Sequence, residues 1–193
     1  MREQRRSEIP EPDTLALRIT PIPKPLYRIN LRSVLKASEW KAIRQSLIRE
    51  RGLICQSCGE KVLSADLQAH EQWTYDTSSE EAVATLTGIA IQCRMCHDCE
   101  HFFRILLLFK KGLILDDRIT NLIDHFCKVN STTTPSFNRH AISAWNEWKR
   151  LSGLRWQVIL RPYSDRTIFA EPSSVSSSLE PTSAVSWADP SGS

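Results

Sequence analysis

Between Leu67 and Tyr75 the side chains alternate. Leu67, Ala69, Glu71, Trp73 and Tyr75 share one face, and Gln68, His70, Gln72 and Thr74 share the other. That is the period of a strand. Thr77 to Glu81 is a polar turn, and Val83 to Ile91 is a second strand candidate, interrupted at Gly88. From Cys96 the period lengthens. His97, His101 and Ile105 stand at i, i+4 and i+8, which aligns them on one helix face. Upstream, Ser38 is placed to cap a helix carrying Trp40, Ile43, Leu47 and Ile48, which ends at Gly52. Downstream, Asp116 is placed to cap a helix with Ile119, Leu122, Ile123 and Phe126 on one face. Thr134, with Pro135 at the first helical position, opens another helix that carries Ala141, Trp145 and Trp148. Trp156 to Leu160 reads as a short strand. The pattern predicts an α+β fold.

The ends lack such periods. Residues 1–21 carry charges and Pro10, Pro12 and Pro21, and read as a flexible N-terminal arm. The last thirty residues, 164–193, contain ten serines and few apolar groups. Such a segment buries too little surface to offset its ordering entropy, so a disordered tail is expected, with Trp187 as a docking point. The domain between them spans 22–163.

The 193-residue chain has a net charge of only +3, but the charge is unevenly placed. Residues 1–52 hold 12 basic and 6 acidic groups, 53–101 hold 2 and 8, 102–163 hold 10 and 4, and 164–193 hold 1 and 4. An acidic centre thus lies between two basic flanks, and basic flanks suit a polyanion. On charge alone, ordinary solvated surface is the leading reading. No apolar run approaches the roughly 20 residues of a membrane span. The charged start, MREQRRSEIP, has no signal-peptide core. A cytoplasmic protein with no membrane partner is expected. There, paired cysteines read as metal ligands rather than disulfides.

The acidic centre carries the chemistry. Cys55-Gln-Ser-Cys58 and Cys93-Arg-Met-Cys96 have zinc-ligand spacing, and the 34 residues between them leave room for one hairpin. Cys55, Cys58, Cys93 and Cys96 are the expected ligands of one structural Zn²⁺. Cys99 extends the second pair and has no assigned role, and Cys127 reads as a core thiol. His97 and His101, one helical turn apart, can reach a single ion, with His70 facing them from the strand. Neutral imidazoles offer metal ligands and a base near neutral pH. His125 and His140 have no motif partners. Arg28, Arg32 and Arg44 suit phosphate contacts, and Trp73, Tyr75 and Asp76 are candidates for recognition or core.

The runs CQSCG, LQAHEQWTYD and LTGIAIQCRMCHDCEH resemble HNH endonucleases (His-Me finger, ββα-metal) of bacterial and phage type with a treble-clef zinc site. INLRSVLKASEWKAIRQSL before them, and HFCKVN and AISAWNEW after them, are similar to the flanks of that group. The resemblance covers 22–163. It implies a zinc-stapled ββα core over 53–110 with flanking helices, and metal-dependent hydrolysis of phosphodiesters in nucleic acid, with DNA the expected substrate. By this resemblance His70 is the general base, and His97 and His101 hold Mg²⁺ or another divalent ion. Glu71 is a further catalytic candidate that orients a partner, or reaches the metal if a bulge re-aims it. The chain departs from the family pattern at Ala69, where an acidic or imidazole ligand is usual, at Thr87 and Gly88, where the middle Asn is usual, and at Glu100, where Lys is frequent. The alternative expectation is a catalytically inert zinc module that binds nucleic acid or, through its tails, a protein.

Overall fold

The computed structural model describes residues 15–115 and 117–172. Asp116 as a cap and Trp187 as a docking point lie outside the described residues. So do residues 1–14 and 173–193.

The alternating segments pair as a hairpin. Strand β1 (Leu67–Asp76) runs antiparallel to β2 (Ala82–Cys93), from Leu67 opposite Cys93 to Asp76 opposite Val83. Gly88 does not interrupt β2; it pairs with Gln72. A Cβ there would meet the Gln72 amide oxygen at 3.1 Å, the movable end of a flexible side chain. Register shifts at Gln72/Trp73, and Thr87 is the extra residue. Its hydroxyl donates to the Gln72 carbonyl at 3.0 Å. Strand β3 (Trp156–Ile159) lies parallel to β2, and β4 (Thr167–Ala170) antiparallel to β3. The sheet order is β1-β2-β3-β4. With the helices, the fold is mixed α+β.

Four helices fill the crossover from β2 to β3: α3 (Arg94–Glu100), α4 (Phe102–Lys110), α5 (Asp117–Val129) and α6 (Thr134–Ser152). Among the described residues, two α-helices precede the hairpin: the short α1 (Leu31–Val34) and α2 (Ala37–Arg51). The starts of α2 and α6 differ slightly from the sequence expectation. Lys36 rather than Ser38 is the residue before α2, and its backbone N–H donates to Glu39 at 2.7 Å. Thr133 precedes α6, which puts Pro135 at its second position. Helix α2 ends at Gly52, whose φ of 76° suits glycine. The helix expected from Cys96 through Ile105 starts earlier, at Arg94, and bends at His101, which divides α3 from α4. The i→i−4 bonds from His101 to His97 and from Ile105 to His101 survive at 3.1 and 3.2 Å. The two histidines therefore still project to one side.

Two cores flank the hairpin. One gathers Cys96, Cys99, Phe102, Leu122, Phe126 and Phe137 from the helices. The other gathers Leu67, Ala84, Leu86, Ile91, Trp156 and Val158 on the sheet.

Both ends of the domain extend past 22–163. Leu17 (0 % exposed) and Ile19 sit in the helical core rather than in a flexible arm. The Leu17 N–H donates to the Asn130 side chain at 3.0 Å, and the Asn130 amide returns a bond to the Leu17 carbonyl at 2.8 Å. The Thr20 N–H donates to the Glu100 carbonyl at 3.0 Å. At the other end, Thr167–Ala170 forms an edge strand inside the stretch read as a disordered tail. Ile168 and Ala170 pack on the sheet core. Two short apolar runs were enough because a preformed edge and groove supply their partners.

Leu17→Ala should cost about 2–5 kcal/mol, read by urea unfolding. A loss near 0.5 kcal/mol, typical of surface substitutions, would make the segment an appendage. A second prediction concerns pH. His140 Nε2 accepts from the Ile19 N–H at 2.9 Å, which requires a neutral ring, and burial lowers its pKa below the ordinary 6.5. The unfolded chain takes up the proton first. The stability contribution is therefore complete above about 6.5 and is lost as pH falls toward the folded value. His140→Gln should flatten the melting temperature's dependence on pH below 6.5, and an unchanged slope would refute this.

Candidate metal and histidine centre

The first cysteine pair sits on a tight loop after α2. The Gly59 N–H donates to the Cys55 carbonyl and the Cys55 N–H to the Glu60 carbonyl, both at 2.9 Å. Gln56 stitches this loop to β2. Its N–H donates to the Ile91 carbonyl at 2.9 Å, and its side-chain oxygen accepts from the Ile91 N–H at 2.7 Å. The second pair straddles the β2–α3 junction. Cys93 caps α3, its sulfur accepting from the Cys96 N–H at 3.4 Å. Sulfur atoms of Cys55, Cys58, Cys93 and Cys96 all lie within 4.8 Å of one another. These four could hold one metal ion such as zinc.

The chemistry of the set fits a cation. Hydrogen bonds from Cys93 and Cys96 hold Cys55 far below the usual thiol range. Burial pushes Cys58 up to about 12, and the bond to Cys55 drives Cys96 well above the thiol range. One thiolate thus forms at its neighbours' expense. Four thiolates together require a positive ion between them. His125, without a motif partner in sequence, lies against this site, its Nε2 3.1 Å from the Cys96 sulfur. Cys99 does not join the set. It is 1 % exposed and donates to the Leu122 carbonyl at 3.3 Å, which makes it a core thiol that ties α3 to α5. Cys127 packs at the edge of the helical core.

One turn beyond the cysteines, the three histidines meet. His70 from β1, His97 from α3 and His101 from the bend each offer one ring nitrogen, all within 4.8 Å of one another. Ring centroids are 5.4 Å apart for His70–His97, 4.9 Å for His70–His101 and 4.6 Å for His97–His101. Burial, then the neighbouring His70 and His97, pushes His101 down to about 3, which keeps its ring neutral. His70 is buried at 6 % exposure. Its Nδ1 has no hydrogen-bond partner, an orphaned nitrogen of the kind a metal ion or a water satisfies.

Two carboxylates stand behind the histidines, neither given a role from sequence. Glu100 Oε2 is 2.8 Å from His70 Nε2, while its other oxygen accepts from the Gln92 amide. Gln92 is held in turn by the Ser57 hydroxyl at 2.8 Å. Asp98 lies 3.6 Å from His97 Nδ1 and pairs with Arg118. Burial raises the Asp98 pKa, but the neighbouring His97 ring and the hydrogen bond from Arg118 outweigh it and hold it below the ordinary carboxylate value. Both lie within three residues of His97, and Glu100 stands where the resembling family often has Lys.

Glu71 does not point at the cluster's nitrogens. Its carboxylate accepts from the Leu31 N–H at 2.9 Å and from the Trp73 side chain, and burial raises its pKa. It anchors α1 to β1. The bulge falls after Glu71, at Gln72/Trp73, and does not re-aim it. Ala69 is buried in the sheet core. Arg44 is committed to the Leu67 and Ser64 carbonyls. Arg32 lies 5.1 Å from the Trp40 ring centroid. Tyr75 packs edge-on against Trp156.

The histidines open into a cleft of about 880 Å³ that Arg28, Arg32, Arg94, Arg104 and Lys110 also line. None of the helices among the described residues is long and apolar enough to cross a membrane. Comparisons with protein-family models, curated proteins and solved structures found no match to this chain.

Replacing Cys55 and Cys58 together by serine should abolish zinc binding and destabilise the fold, because a metal held by these four sulfurs would share its binding free energy with folding. Elemental analysis showing undiminished zinc in that variant would overturn the ligand set.

Proposed function

We propose that the chain is a metal-dependent endonuclease of HNH type, with a structural zinc on a treble-clef, ββα-metal core, that hydrolyses phosphodiester bonds in DNA. The observation that carries this reading is the convergence of His70, His97 and His101 from one strand and one helix, immediately beside four clustered cysteines. In this reading Cys55, Cys58, Cys93 and Cys96 hold Zn²⁺, and His97 and His101 hold Mg²⁺ or another divalent ion. The divalent ion, when bound, supplies charge stabilisation at the scissile phosphate and at the leaving oxygen.

The chain's own residues supply the rest. Donation of the Nε2 proton of His70 to Glu100 leaves the lone pair on Nδ1, the buried nitrogen without a partner. That nitrogen is the base that takes a proton from water. Glu100 orients the ring and, as an anion, stabilises the imidazolium that forms. Asp98, fixed by Arg118, does the same for the orientation of His97. Glu71, already committed to Leu31 and Trp73, holds the strand and takes no proton. The cationic residues of the cleft fit a phosphate backbone.

A second reading is an inert zinc module that binds nucleic acid or a protein. It is favoured by Ala69, whose buried methyl can ligate nothing.

Nicking of supercoiled plasmid with Mg²⁺, Mn²⁺ or Ni²⁺ decides between them. His70→Ala and His97→Ala should each lower the rate by about 100-fold or more. Glu100→Gln should lower it by about 10- to 100-fold. Equal nicking by all the variants would remove the histidines from the chemistry, and no nicking by the unaltered protein would favour the inert module.

A further inference from the structure

We infer that the cleft beside the histidines takes an unpaired nucleotide strand, whose bases stack on an aromatic wall formed by Phe103 and Trp145. The inference rests on the nuclease reading of the histidine cluster and narrows its substrate. The cleft's volume, about 880 Å³, falls within the roughly 300–1,000 Å³ typical of sites that enclose a ligand.

Phe103 and Trp145 meet edge-on at 5.3 Å. Trp145 stacks on Trp148 at 4.7 Å with an 18° tilt, and Trp148 is buried at 3 % exposure. The buried ring supports Trp145 from behind, while Trp145 and Phe103 themselves are only half-buried and border the cleft. Phe103 also packs against the helical core, so its inner side is fixed while the remainder faces the cleft.

Charge points the same way. The acids bordering the cleft are already engaged: Glu71 by Leu31 and Trp73, Asp98 by Arg118, Glu100 by His70 and Gln92. The arginines at positions 28, 94 and 104 line the same cleft and leave it complementary to phosphate. Stacking then chooses between duplex and single strand. In a duplex the base faces are hidden in the stack, and only an unpaired or extruded base offers one to a ring.

The test uses fluorescence anisotropy with the full chain and no added divalent ion. Its three labelled probes are an oligothymidylate, an abasic strand of the same length and a duplex of the same length. The oligothymidylate should bind at least about tenfold tighter than either other probe. Trp145→Ala should erase that preference, Trp145→Phe should retain most of it, and Arg104→Gln should weaken all three probes alike. Equal affinity of the unaltered protein for oligothymidylate and abasic strand overturns the inference, and so does duplex binding as tight as that of the single strand. Because this comparison needs no variant, misfolding of Trp145→Ala cannot obscure it. Folded, zinc-loaded Trp145→Ala with full preference overturns it as well. Plasmid nicking separates the two readings. Nicking without a preference for the unpaired strand keeps the nuclease and discards the aromatic wall, whereas preference without nicking keeps the wall and discards the nuclease.

Discussion

Four sulfur atoms crowd the junction where β2 ends and α3 begins, and they can all be thiolates only around a cation. Everything the histidines do depends on that junction. Cys93 is at once the last residue of β2, the cap of α3 and the partner of Leu67 at the start of β1. Holding Cys93 and Cys96 against the Cys55 loop sets the direction in which α3 leaves the sheet. His97 follows Cys96 directly, and His70 stands three residues along β1 from Leu67. A rigid junction therefore fixes the gap between the strand and helix histidines. The Gln56 bonds to Ile91 reinforce the same junction from the backbone side.

Around this frame the polar groups form a hierarchy. Each cleft acid is committed before any ligand arrives, and the commitments differ in purpose. Glu71 secures a helix, whereas Glu100 and Asp98 back the histidines. Glu100 is the most connected of the three. Its carboxylate meets His70 and Gln92, and its carbonyl receives the Thr20 N–H. The N-terminal segment thus touches the same residue that orients His70. The packing of Leu17 and Ile19 and the geometry of the histidine centre are consequently coupled through one side chain and its backbone.

The helical crossover has a comparable double use. Helices α3 to α6 close one core around Phe102, Phe126 and Phe137, whose rings pack edge-on at 5.1 and 5.0 Å. The same helices deliver Arg118 to Asp98, His125 to Cys96, and Trp145 to the cleft. A packed interior transmits small displacements, so substitutions in this core reach the histidines without touching them.

Local periodicity made the hairpin, the helix faces and both metal-like clusters legible. Strand alternation placed His70, one helical turn joined His97 to His101, and the two-residue gaps paired the cysteines. These are short-range relations, determined by backbone geometry that any reader of the chain can apply. What needed the tertiary structure was every relation between distant residues. Glu100 reached His70 across 30 positions, Arg118 reached Asp98 across 20 and His125 reached Cys96 across 29, and no period announces such pairs. Leu17, Ile19 and the β4 strand looked like tail because isolated apolar residues cannot offset ordering entropy, and only a groove and sheet edge built by the rest of the chain repays it. The sequence alone determined which cysteines and histidines could gather into clusters. Which of them are oriented, paired or left facing the cleft was decided by long-range packing and hydrogen bonding, because those energies exist only once the chain has folded.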